Sequence, residues 1–143
     1  MLNVSEKESI AVSIAPSAPG LFTLDSTGKG QAAAANQDGS INTAATAARI
    51  GSMITLFATG EGQTSPAGID GKPASDPLPH PVLPATVTIG GQAANVQYSG
   101  GAPGEVAGVT IPTLSGRMSA GSYQKLDCRF KLRLGHFCPT LSV

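Results

Sequence analysis

Glycine and proline break this chain at intervals too short for a long helix: 18 Gly and 11 Pro stand among 143 residues. Glycine costs backbone entropy inside a helix, and proline removes a donor and clashes with the preceding turn. Between the breaks lie short apolar runs, several of them alternating with polar residues. A chain written this way folds from short strands and tight turns, so the expected class is all-β, as a sandwich or barrel. The glycines lack the every-third-residue period of collagen, which excludes a triple helix.

The runs can be placed one by one. Residues 9–15 (SIAVSIA) put Ile10, Val12 and Ile14 on one face of a half-buried strand, and Pro16, Pro19 and Gly20 then force a corner. Residues 31–36 are Ala-rich, but too short to hold a helix in water. With Asp38-Gly39 behind them they read as strand, turn, strand. Residues 43–49 are expected to be irregular. Residues 53–59 (MITLFAT) are apolar on both faces, the pattern of a central strand covered on each side. Six prolines and four glycines in residues 60–84 predict a long surface loop. Residues 85–89 and 94–98 flank Gly90-Gly91 as a hairpin, with Val87 and Ile89 facing Ala94, Val96 and Tyr98. A turn at 100–104 leads to a last strand at 106–111.

Charge narrows the function classes. Only 13% of residues are charged, nine acids against nine bases. That is too little charge for an ordinary disordered chain and too balanced for a nucleic-acid binder. The distribution is uneven: residues 1–116 carry net −4, residues 117–143 net +4, and both cysteines lie in the second stretch. No segment approaches the eighteen or so apolar residues of a membrane span. The first ten residues carry Glu6, Lys7 and Glu8 where a signal peptide would be basic and then apolar. The Ser/Thr/Gly/Ala-rich, charge-poor style nevertheless suits an extracellular module, which is reconciled if this is the terminal piece of a longer exported protein.

Several segments together carry a family resemblance: APGLFT (18–23), the Ala run into NQDGSIN (36–42), GSMITLFATGEGQTSPAGIDG (51–71) and VTIGGQAANVQYSGGAPGEVAG (87–108). Over about residues 10–109 the chain resembles the uncharacterised C-terminal domain found in exported proteins of Solibacter and other acidobacteria. It is more distantly similar to immunoglobulin-like IPT/TIG domains. The resemblance implies an immunoglobulin-like β-sandwich over residues 1–111, extracellular or at the cell surface, with no assigned activity. Fold analogy by itself supplies no function.

After Val109 the text departs from that family, where a Q-I-N-V-like strand, a Pro turn and another hairpin would be expected. Residues 112–143 therefore read as a divergent basic tail, and the sandwich as incomplete or altered at its C-terminal strands; a shifted reading frame would account for the break. Within the tail, Leu126, Cys128, Phe130, Leu132 and Leu134 alternate with Asp127, Arg129, Lys131 and Arg133. That period predicts an edge strand over 126–134 with a basic outer side.

Candidate sites are few. Asn36, Asp38, Ser40 and Asn42 stand at alternate positions around Gly39, as in half of a calcium loop. The first ligand position would be Ala34 and the closing acid Ala45, so the commoner expectation is Asx side chains capping a hairpin. Gly28-Lys29-Gly30-Gln31-Ala32-Ala33 fits a G-x-G-x-x-A turn, but no acid follows about twenty residues on and no βαβ unit is present. Cys128 and Cys138 are a disulfide candidate or two free thiols; with His136 they lack zinc spacing, and His80 sits alone in a proline loop. There is no G-x-S-x-G elbow, and most acids sit in turns.

The expected role is thus non-catalytic, without cofactor: a structural or interaction module appended to an exported protein, serving as spacer, adhesion unit or surface anchor. Its partners would be other domains of that chain or cell-surface components. A carbohydrate- or calcium-dependent binding sandwich is the alternative, and a hydrolase fragment the third reading.

Overall fold

The computed structural model describes residue 11, residues 14–49, 51–89 and 92–115, and the backbone of 129–132. The described chain is all-β, with no helix among the described residues. Its strands, in chain order, are β1 (Gly20–Leu21), β2 (Ala34–Asn36), β3 (Met53–Leu56), β4 (Ala58–Thr59), β5 (Thr64–Ser65), β6 (His80–Pro81), β7 (Ala85–Ile89), β8 (Gln92–Tyr98), β9 (Thr113–Ser115) and β10 (Arg129–Leu132). Six of them form one sheet in the order β10-β7-β8-β9-β3-β2, every neighbouring pair antiparallel. The ribbons β1-β4 and β5-β6 complete the set, an arrangement consistent with a β-sandwich.

The alternation of side chains in a strand explains the core. In the register, Ile54 faces Leu114 and Leu114 faces Val96, one continuous row across three strands. Ile54, Leu56, Val87 and Leu114 are buried, joined by Leu21, Ala32, Ala34 and Ala58, with Ala94 and Val96 packed against them. Each fully buried Leu, Ile or Val contributes about 1.5–3 kcal/mol relative to exposure. Small residues fill the remaining places, so facing elements approach closely without aromatic bulk.

Several expectations meet the structure here. The Asp38-Gly39 hairpin forms: Asn36 N donates to Ser40 O (2.8 Å) and Asn42 N to Ala34 O (2.9 Å). β7 and β8 pair antiparallel as expected, with Ile89 opposite Gln92, while residues 90 and 91 lie outside the described residues. Met53–Leu56 is central, between β9 and β2, but its two faces are unequally covered, with Thr55 and Phe57 only half-buried. Ile54, Leu56 and Ala58 are buried, whereas Met53 is 41% exposed. An antiparallel sheet can leave one side open, and here apolar sequence on both faces did not mean burial on both. Of residues 9–15, the described Ala11, Ile14 and Ala15 carry no strand, and Ile14 is 94% exposed. The others lie outside the described residues.

The C-terminal half differs more. Residues 106–111 make turns and isolated bridges rather than a strand. The strand comes two residues later, as β9, in the middle of the sheet between β8 and β3. Leu114 is 0% exposed. The sheet thus takes one of its inner strands from beyond residue 111. Gly104 and Gly108 both take positive φ (79° and 97°), and this turning delays the extended backbone until Pro112 is passed. At the far edge, β10 pairs with β7, Phe130 opposite Val87 and Leu132 opposite Ala85. The remaining positions of the 126–134 segment lie outside the described residues. Among the described residues no helix is long and apolar enough to cross a membrane.

Candidate functional site

The loop after β4 holds a buried carboxylate. Glu61 is only 6% exposed, although it lies in a stretch whose prolines and glycines predict surface. Its flanking glycines explain how. Gly60 and Gly62 have φ of 78° and 82°, a conformation that side chains with a Cβ rarely adopt. A Cβ at Gly60 would collide with the Ala18 carbonyl, and one at Gly62 with the Pro16 carbonyl. Ala18 N also donates to Gly60 O (3.0 Å). The Gly-Glu-Gly step is thereby pressed against the 16–19 segment, and the Glu61 side chain turns into the protein.

Its partner comes from the segment that pairs with Ala58. Thr110 Oγ1 donates to Glu61 Oε2 in a buried hydrogen bond. Thr110 is itself held by reciprocal backbone bonds with Ala58, N to O at 2.8 Å and 2.9 Å. Among the described residues no ion pair offsets the Glu61 charge, so the hydroxyl is its identified support.

Tyr98 and His80 extend the cluster. Tyr98 Oη donates to Gly101 O (3.1 Å), and its ring meets the His80 ring edge-on with centroids 5.4 Å apart. His80 Nδ1 lies 3.0 Å from Ser99 O, an acceptor, so the Nδ1–H tautomer is the one that bonds. Burial pushes the Tyr98 phenol above its ordinary value near 10, and the charge of Glu61 adds to the shift. Gly100 lets these groups converge: a Cβ there would lie 2.7 Å from both His80 Nδ1 and Tyr98 Oη. The cavity beside Glu61, bounded by Thr64, Ala74, Pro79, Gly101 and residues 106–109, has a volume of about 20 Å³. That admits one water-sized group, not a sugar ring or a peptide.

The sequence-predicted residues sit elsewhere. Asn36, Asp38, Ser40 and Asn42 do converge, but on one another. Asn36 Nδ2 donates to Ser40 Oγ (2.9 Å) and Thr46 O (2.8 Å), and Asn42 Nδ2 to Asn36 Oδ1 (2.8 Å). Ser40 donates to Asp38 Oδ1 through both N (3.0 Å) and Oγ (2.6 Å). These bonds hold the Asp38 carboxyl below its usual value, with a smaller contribution from the Arg49 charge. The geometry is that of a hairpin capped by its own side chains. Among the described residues no group of three or more His, Cys, Asp or Glu is placed to hold a metal ion.

Residues 28–33 likewise make a turn, with Leu24 N bonded to Gln31 O (2.9 Å) and a bridge between Thr23 and Ala32. No helix follows them, so the geometry of a dinucleotide turn is absent. Cys128, His136 and Cys138 lie outside the described residues. The sequence reading passed over Glu61. Its signal was the acid fixed between two glycines immediately after the apolar strand.

Comparison with protein families, curated proteins and solved structures finds no match.

Proposed function

We propose that this chain is a non-catalytic, immunoglobulin-like module of an exported protein, acting at or outside the cell surface as a spacer or adhesion unit. The observation that carries the reading is the use to which its buried and half-buried polar residues are put. Glu61 and Thr110 tie the loop after β4 to the segment before β9, and Tyr98 ties the end of β8 to the 100–101 turn. The cavity beside them has room for one water-sized group. Such bonds fix loops in place, which is what a module transmitting position or force requires. The family resemblance of residues 10–109 supports the exported context.

Fractionation of the source cells, with detection of this segment in the medium, the envelope and the cytosol, tests the proposal. Recovery in the medium or envelope is expected. Recovery in the cytosol alone overturns it.

A further inference from the structure

We infer that Asp70-Gly71 is a site of spontaneous covalent modification, isomerising through a cyclic imide to isoaspartate, and that the fold shields the chain's other Asp-Gly step, Asp38-Gly39, from the same reaction. The inference does not rest on the exported role.

The reaction needs two neighbouring groups to be free. The Gly71 amide nitrogen attacks Cγ of the protonated Asp70 carboxyl, and a C–N bond forms. The amide proton and the carboxyl OH leave together as water. Water then adds back to one of the two ring carbonyls. Opening at one restores aspartate; opening at the other leaves the main chain running through the side-chain carbonyl, as isoaspartate. The water lost is regained, and no oxidant or further reactant is consumed. Glycine after the aspartate favours the attack because it has no Cβ to crowd the nitrogen. The sequence holds two such steps, at 38–39 and 70–71.

The fold treats them differently. In the first, the Asp38 carboxyl accepts from Ser40 N (3.0 Å) and Ser40 Oγ (2.6 Å), and Gly39 N donates to Asn36 O (2.9 Å). Electrophile and nucleophile are both occupied. The Ser40 bonds also hold the carboxyl below its usual value, which keeps it in the charged, unreactive form. Bringing Cγ onto Gly39 N breaks this arrangement.

The second step stands at the tip of the loop between β5 and β6, where residues 69–72 are all exposed. Lys72 N donates to Ile69 O (3.1 Å), and Gly71 has φ 73°, the pattern of a type II turn. The peptide between Asp70 and Gly71 lies outside that bond. Among the described residues, neither the Asp70 carboxyl nor the Gly71 N–H has a hydrogen-bond partner. The space where a Gly71 Cβ would stand is open. The base of the loop is fixed: Ser65 pairs with His80, Ala74 N donates to Glu105 O (2.7 Å), and Gly104 N donates to Ala74 O (3.0 Å). Isoaspartate adds one carbon to the main chain, and the free tip can absorb it without disturbing that base.

Ageing the full chain at mildly acidic pH, folded and in guanidinium chloride, tests the inference. Isoaspartate is located by peptide mapping with electron-transfer fragmentation and counted with an isoaspartate-specific methyltransferase and a labelled methyl donor. In the folded chain residue 70 is expected to isomerise at least about tenfold faster than residue 38, because only the latter must first break hydrogen bonds. In guanidinium the two rates are expected to converge, since both steps then share the same local chemistry. Ser40→Ala is expected to raise the rate at 38 and leave that at 70 unchanged. Asp70→Glu is expected to abolish the product at 70 with the circular dichroism unaltered. Three results overturn the inference: no isoaspartate at 70 in the folded chain; equal rates at the two steps in the folded chain; or a difference of the same size in guanidinium, which would assign it to sequence rather than to the fold.

Discussion

Thr110 Oγ1 donates to Glu61 across 49 residues of sequence, and this bond joins the segment between β4 and β5 to the segment that leads into β9. Replacing the donor strands a buried carboxylate. Thr110→Val is expected to lower the free energy of unfolding by about 1.5–3 kcal/mol, the range for hydrogen bonds to charged groups. Urea denaturation monitored by circular dichroism measures it. A change below about 0.5 kcal/mol would show that the contact contributes no stability.

Leu114 offers a sharper test of where the domain ends. Leu114→Ala empties a site at the centre of the sheet and should cost about 2–5 kcal/mol. Met53→Ala, on the open side of the neighbouring strand, should remain within about 0.5 kcal/mol of the parent. Equal effects at the two positions would contradict the placement of β9.

The Asp38 carboxyl, held low by Ser40, sets a dependence on acid. A depressed folded-state value means its contribution is present above the ordinary carboxylate value of 3.8 and is lost as pH falls through the lower folded value. Asp25 behaves alike, held low first by Thr23 and then by Thr27. Carbon-detected NMR titration should place both midpoints below 3.8. In Asp38→Asn the stability difference from the parent should shrink on acidification; a difference that grows would reverse the assigned sign.

Tyr98 sets the alkaline side. Its folded value is raised, so its contribution is whole below the ordinary value near 10 and disappears as pH rises through the folded value. Absorbance titration near 295 nm should show a tyrosine ionising late, and Glu61→Gln should bring that midpoint down by removing the nearby charge. A Tyr98 midpoint at or below 10 would refute the burial argument.

Local chemistry was the legible part of the sequence. Asp38-Gly39 and Gly90-Gly91 announced their hairpins because two-residue turns restrict residue type strongly. Val87 and Val96 announced the inner face by alternation. Position in the sheet was not legible. Nothing in the Thr113–Ser115 triplet distinguishes a central strand from a tail, because its burial depends on partners 15 to 62 residues distant. Glu61 was obscured for a related reason: its burial is dictated by the Pro16 and Ala18 carbonyls against its flanking glycines, a tertiary contact without sequence period. The capping residues 36–42 were found at the right place, and their mutual bonding decided between two chemistries that share a pattern.

The central place of β9 has a consequence for synthesis. Strands β3 and β8 are both complete by residue 98, yet neither pairs with the other; each meets β9. While the chain grows from its N-terminus, both strands present open backbone edges until residue 115 has cleared the ribosome exit. The sheet closes in one late event, by insertion of a three-residue strand between two halves already made. Pairing this non-local is slow, and open edges attract other chains in the meantime. A pause in translation between residues 98 and 113 would thus expose the protein at its most aggregation-prone stage, and a chaperone that covers strand edges would act on it there.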